Sequence, residues 1–266
     1  MHTFTIKLKQ HTPLIHFQHD QQGATLRASE VKPRLDKFIL TQLGGGNYEK
    51  GCAEAKGKGW FVGKGEHPVL NYKMSIEASG RKEYLIGSLI SSDNPKDKPE
   101  QVTILTSTPY FAQEQENKKV IKKLDQQSFF LKTEWDKIPK KGLKWNTVLI
   151  RIFSINADVL DKVRNNVLNF FLCVNFGNRS DKGFGSFTVI SIDGEEYNEG
   201  FYNEGVYLSA FKCGYSFCYR NVSHPSNETA IFSTIKEDYM RLKSGKNHRG
   251  YKKSLLFCYA VDKLKD

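Results

Sequence analysis

The chain has 266 residues, a net charge of +11 and a sequence pI near 9.3. That length buries a substantial core, as one elaborated domain or two small ones, and that charge favours an anionic partner. The mean hydropathy is -0.52, and no apolar run approaches the roughly 20 residues of a membrane span, so no membrane partner is expected.

The N-terminus alternates like a strand and lacks the apolar core of a signal peptide. Residues 3–9 place Phe4, Ile6 and Leu8 on one face and Thr5, Lys7 and Lys9 on the other. A polar loop with Pro13, His16, His19 and Gly23 follows. Ser29 is the expected N-cap of a helix with the apolar stripe Val31, Leu35, Phe38, Ile39 and Leu43, and Gly44-Gly45-Gly46 ends it. Residues 44–66, dense in glycine and lysine, read as a long loop. Its Trp60 and Phe61 are candidates for base stacking, with Lys50, Lys56, Lys58 and Lys64 as cations beside them.

A strand is predicted over 69–78, and residues 79–146 form a β-rich insertion with strands near 83–90, 101–106 and 129–135. Residues 147–155 make a strong apolar strand. Asn156 or Asp158 then caps a helix over 158–173, whose Val159, Leu160, Val163, Val167, Phe170 and Phe171 share one face. A strand over 187–192 completes the order βαββαβ. The expected fold class is therefore α+β, a ferredoxin-like domain over 1–192 whose four-stranded sheet is shared with RNA-recognition domains. Residues 193–266 read as an α+β extension or a second, degenerate ferredoxin-like unit. They hold a strand pair within 206–220, a helix capped by Ser226 or Asn227 and ended by Gly245, and a last strand over 254–261.

Between the second helix and the fourth strand lies Phe176-Gly-Asn-Arg-Ser-Asp-Lys-Gly-Phe-Gly-Ser186. Glycines that adopt positive φ expose consecutive N–H groups, and Arg179 and Lys182 add charge, which is the composition of an anion cradle. The plainer alternative is a tight connection that needs glycine only for geometry. The loop follows a helix and lacks the Gly-x-x-x-x-Gly-Lys-Ser/Thr order, so nucleoside triphosphate and dinucleotide fingerprints both fail. No cofactor is expected. No metal is expected either: Asp20, Glu30 and Asp36 are scattered, and Cys213 and Cys218 lack the partners of a zinc site. The odd count of 5 cysteines, without framework spacing, predicts reduced thiols in a cytoplasmic protein.

Residues 177–186 resemble the glycine-rich loop of the RAMP superfamily of CRISPR-associated proteins. They are most similar to the Gly-x-Arg-Ser-x-x-Gly-Phe-Gly-Ser pattern of the first Cmr (type III-B) effector subunit family. Thr25-Leu-Arg-Ala-Ser-Glu-Val-Lys32 is similar to the stretch that opens that family's first helix, and Thr12-Pro13-Leu14 fits as well. The resemblance covers about residues 1–43 and 147–192. It departs from the family at Pro33-Arg34-Leu35-Asp36-Lys37-Phe38, where a glycine and an aromatic-arginine cluster are common. It implies a non-catalytic RNA-binding subunit of a type III CRISPR ribonucleoprotein in antiviral defence, with guide or target RNA and other effector subunits as partners. The implied RNA-binding residues are Arg27, Ser29, Lys32 and Arg34 at the first helix, and Gly177, Asn178, Arg179, Ser180, Lys182, Gly183, Phe184, Gly185 and Ser186 in the loop.

The alternative is a metal-independent endoribonuclease that processes guide RNA, with His16 or His19 as general acid/base. In such nucleases the glycine loop usually lies close to the end of the chain, whereas here some 80 residues follow Ser186. Solvent-facing loop histidines are the plainer reading of His16 and His19.

Overall fold

The computed structural model describes residues 1–15, 26–63, 69–86, 100–105, 128–130, 141–178, 180–197, 228–247 and 250–264. The chain divides into two compact units, Met1–Lys82 with Leu143–Asn221, and Glu83–Gly142 with Val222–Asp266. His16, His19, Lys64 and Arg179 lie outside the described residues, as do the strand pair expected within 206–220 and the cap expected at Ser226 or Asn227.

The first unit is built on strand β1 (His2–Gln10), whose alternation buries Phe4, Ile6, Leu8 and Gln10 and leaves Thr3, Lys7 and Lys9 exposed. A short strand β2 (Leu14–Ile15) leads toward helix α1 (Ala28–Leu43), which is followed by helix α2 (Tyr48–Gly57) and strand β3 (Lys73–Ile86). Strand β6 (Lys141–Ser154) runs antiparallel to β1 from His2↔Ser154 to Leu8↔Val148. Helix α3 (Ala157–Cys173) then leads through the glycine loop to strand β7 (Phe187–Ile192), which pairs antiparallel with the other edge of β1. An Asp193-Gly194 turn, both residues at positive φ, returns the chain into strand β8 (Glu195–Glu196). In this unit the strand order is β3-β6-β1-β7-β8, with β2 against β6.

Helices α1 and α3 cover one face of this sheet. Val31, Leu35, Ile39 and Leu40 of α1 and Val159, Val163, Val167 and Phe170 of α3 join Phe4, Ile6, Leu8, Val148, Ile150 and Ile152 in one core. Helix α3 starts where expected, because the Asn156 side chain accepts from the Val159 N–H. Buried Gln10 closes the gap between β1 and the first part of β6. Its Nε2 donates to the carbonyls of Thr12 (2.9 Å) and Leu143 (2.7 Å), and its Oε1 accepts from the Trp145 N–H (2.8 Å).

In the second unit, Tyr84, Leu85 and Ile86 at the end of β3 pair in parallel with strand β4 (Glu100–Leu105), which pairs antiparallel with strand β5 (Ser128–Phe130). Helix α4 (Glu228–Tyr239) continues through a wider turn to Ser244, and Gly245 at φ +78° stops it. A two-strand ribbon, β9 (Lys246–Asn247) with β10 (Tyr251–Lys252), precedes helix α5 (Leu255–Lys263).

Three local expectations change. Residues 44–66 are not a loop throughout: Asn47 caps α2 by accepting from the Lys50 N–H, and Gly51 lets α2 approach α1 so closely that a Cβ there would meet the Leu40 carbonyl oxygen. Trp60 is buried and Phe61 is partly buried against the core, so neither is presented for stacking on a base. The strand expected over 254–261 is helix α5, because Ser254 accepts from the Phe257 N–H and starts a helix. A short apolar run fits both periods, and the cap decides between them.

Candidate nucleic-acid interface

The glycine loop is held by the turn after β1. The Gly185 N–H donates to the Pro13 carbonyl (2.9 Å) and the Asn178 N–H to the Ile15 carbonyl (2.8 Å). The Thr12 hydroxyl sits between, donating to the Gly183 carbonyl (2.6 Å) and accepting from the Ser186 N–H (3.0 Å). Inside the loop, Phe176 N–H bonds the Gly185 carbonyl (2.9 Å), Gly183 N–H the Ser180 carbonyl (3.2 Å), and Asn175 Nδ2 also reaches the Ser180 carbonyl (3.0 Å). From α1, Glu30 Oε1 accepts the Gly177 N–H at 2.8 Å.

These bonds correct the cradle picture. The N–H groups of Gly177, Asn178, Gly183, Gly185 and Ser186 point at protein acceptors, so they are not a nest open to phosphate. Glycine is required here for closeness and handedness. Gly177 (φ +76°) and Gly185 (φ +64°) lie where L side chains rarely go, and a Cβ would sit 2.6 Å from the Ile15 oxygen and 1.9 Å from the Phe176 oxygen respectively. Phe184 is fully buried, as are Phe176 and Phe187, and Phe176 packs its ring against those of Phe170, Phe171 and Phe187. The loop is thus a rigid platform. Those five amides are therefore not the groups that would hold an anion, and the side chains of Arg179 and Lys182 lie outside the described residues.

On α1, Arg27 rather than Ser29 occupies the N-cap position, without a side-chain cap bond, and Ser29 is exposed in the first turn. Arg34 is 43% exposed and braces the loop. It donates to the Asn175 carbonyl (3.0 Å), lies 3.5 Å from Glu30 and stacks over the Phe176 ring. Lys32 turns inward instead of joining a phosphate track. It is only 18% exposed, donates to Asp36 (2.8 Å) and the Leu70 carbonyl (3.0 Å), and sits 4.1 Å from the centre of the Tyr72 ring. The buried Tyr72 hydroxyl faces Asp36; burial first, and then that carboxylate, raise its pKa well above the usual 10.

Residue-type reading missed Thr12 and Glu30, which do the fastening. Their signal was their position, a hydroxyl in the turn after the first strand and a carboxylate in the first turn of the helix. No group of three or more His, Cys, Asp or Glu residues placed for a metal occurs among the described residues.

The face of the sheet opposite α1 and α3, helix-free among the described residues, carries the odd-numbered residues of β1. Thr3 lies opposite Phe153, Thr5 opposite Arg151 and Lys7 opposite Leu149. On the other side Lys9 lies opposite Thr188, and His11 shares a hydrogen bond with Thr188 Oγ1 at 2.8 Å.

A family model describing the Cmr1 N-terminal domain matches residues 1–246. The chain belongs to the Cmr1 N-terminal domain family. No curated protein matches it. Among solved structures, apo Cmr1 from Pyrococcus furiosus is 12% identical, with 100% of this chain and 75% of that one covered and a TM-score of 0.44. A chain of the type III-B Cmr-beta complex bound to cognate target RNA and AMPPnP is 11% identical over 89% of this chain and 63% of that one, with a TM-score of 0.38. Cmr6 from Pyrococcus furiosus is 10% identical over 74% of this chain and 98% of that one, with a TM-score of 0.30. No described helix is long and apolar enough to cross a membrane.

Proposed function

We propose that this Cmr1-family chain is a non-catalytic RNA-binding subunit of a type III CRISPR effector ribonucleoprotein, which captures guide or target RNA with little regard to sequence. The observation that carries the reading is the family match over residues 1–246 on a chain of net charge +11. The strand order β3-β6-β1-β7, with α1 after β1 and α3 after β6, supports a ferredoxin-like βαββαβ reading of the first unit, with the glycine-rich loop between α3 and β7.

In this reading the rigid loop presents Asn178, Arg179, Ser180 and Lys182, with Arg27 and Arg34 beside them, to the phosphate backbone. A fixed platform limits the ordering entropy that binding must overcome. Partners are RNA and the other subunits of the effector, and the compartment is the cytoplasm.

The test is RNA binding by the Arg179→Ala/Lys182→Ala double variant, followed by fluorescence anisotropy across a salt series. Affinity should fall for all sequences, and the salt slope should shrink by about 0.7 for each phosphate that the variant no longer neutralises. Unchanged affinity and slope remove the loop from the interface. Incubating the protein with repeat RNA in EDTA tests the non-catalytic part: specific cleavage that disappears in His16→Ala or His19→Ala makes the chain a nuclease.

A further inference from the structure

Strand β1 runs from Thr3 at one end of the sheet to the glycine loop at the other, where the His11 N–H donates to the Ser186 carbonyl (2.9 Å). Its odd-numbered side chains lie on the face that α1 and α3 leave uncovered. Lys7 and Lys9 are exposed and form no ion pair among the described residues, and the same holds for Lys73 at the start of β3. Arg151 is 55% exposed and pairs with Glu77 at 2.9 Å, so these two cancel. Glu196 lies farther out, on β8 opposite Ser191. Among the described residues the balance across the face is positive.

Between the cations stand Thr3, Thr5 and Thr188, and half-buried Phe153 and Leu149, neither of which belongs to the core under the helices. Phe153 offers an aromatic ring on a central strand, opposite Thr3. From Thr3 to His11 the strip measures about 26 Å at 3.3 Å per residue. A strip of lysines and hydroxyls with one flat ring complements a single-stranded polyanion that has stacking bases, rather than an apolar protein surface.

We infer that single-stranded RNA held at the glycine loop continues along β1 over the helix-free face. Lys9, Lys7 and Lys73 take its phosphates, and Phe153 stacks a base. This rests on the RNA-binding reading above and extends it to a second, continuous contact surface.

The test compares wild type, Lys7→Glu/Lys9→Glu and Arg179→Ala/Lys182→Ala on a short, unstructured, fluorescein-labelled single-stranded RNA. The Lys7→Glu/Lys9→Glu protein should keep its circular dichroism and melting temperature. It should bind at least about tenfold more weakly, with a salt slope smaller by about 1.4, which is about 0.7 for each of two phosphates. Phe153→Leu should weaken binding about tenfold and Phe153→Tyr should restore it, since only the second keeps a ring to stack. Affinity within twofold of wild type in Lys7→Glu/Lys9→Glu, with the loop variant weakened, overturns the track and leaves the loop reading intact. The same result accompanied by disappearance of a copurifying chain assigns the face to an acidic protein partner, and also overturns it. If wild type binds no RNA, both readings fall.

Discussion

The glycine loop and the helix-free face of the sheet are neighbours along β1 and opposites in chemistry. In the loop the amides of Phe176, Gly177, Asn178, Gly183, Gly185 and Ser186 are all engaged by protein acceptors. Thr12, Pro13, Ile15 and Glu30 bond to Gly177, Asn178, Gly183, Gly185 and Ser186, and at Gly177 and Gly185 nothing larger than glycine fits. On the face the backbone is engaged in the sheet, while Lys7 and Lys9 have no acidic partner among the described residues. A motif thus marks where the fold is least tolerant of change, whereas the capacity to attract RNA is spread over side chains that form no motif. Preorganisation and charge come from different residues.

Substitutions should separate the two regions sharply. The largest effect is expected at Gly185→Ala, where the new Cβ meets the Phe176 carbonyl at positive φ; destabilisation by about 4 kcal/mol in urea unfolding, or an insoluble chain, is the expected result. Wild-type stability there would mean the loop can open, and the contrast with the face would collapse. Next comes Asp36→Ala, which strands Lys32 in a site where it is 18% exposed and should cost about 3 kcal/mol while leaving the salt slope of RNA binding unchanged. Thr12→Val keeps the shape and removes both hydroxyl bonds to the loop. Stability should fall by about 2 kcal/mol, with RNA affinity falling only as the folded fraction falls.

The face should behave in the reverse way. Lys7→Glu/Lys9→Glu should change unfolding free energy by no more than about 0.5 kcal/mol, as exposed strand positions allow. The smallest effect concerns Tyr72 and pH. Its folded pKa is raised above the unfolded value of about 10, so the stability it contributes is whole below about pH 10 and is lost as pH rises through the folded value. Urea midpoints at pH 8 and above pH 10 should therefore lie closer together in Tyr72→Phe than in wild type, although Tyr48 and Tyr197, whose pKa values are also raised by burial, leave part of the drop in both. An identical alkaline drop in both proteins would place the titrating group elsewhere.

Much of the first unit was legible in the sequence because its periods are strong. Phe4, Ile6 and Leu8 alternate over a whole strand, and Val159, Val163, Val167 and Phe170 repeat over a whole helix whose cap, Asn156, is of the expected type. Helix α2 was not legible, since Gly51 and Gly57 lower its helix propensity, and what holds it is its close approach to α1. Helix α5 was misread because Leu255 to Val261 is too short and too apolar for either period to stand out.

At the site, Lys32 looked like a phosphate contact. A carboxylate one turn later, at Asp36, gave it a nearer partner inside the fold. The loop's location was readable and its function as a cradle was not, because the acceptors that consume its N–H groups come from Pro13, Ile15 and Glu30, far away in the chain. The alternation of Lys7 and Lys9 was visible from the start. Only the placement of both helices on the opposite side showed it as an exposed pair of lysines on the other face.

The carboxylate of Glu30 on the Gly177 amide has one more consequence. Glycine-rich segments are ordinarily read as the parts of a protein that breathe. Here the amides of Gly177, Asn178, Gly185 and Ser186 are closed by acceptors on other elements, and that of Gly183 by Ser180 within the loop, so they belong to the same cooperative opening unit as β1 and α1. In deuterated water they should exchange on the timescale of the central strands rather than of surface loops. The loop would then shed its protection only when the first unit opens as a whole.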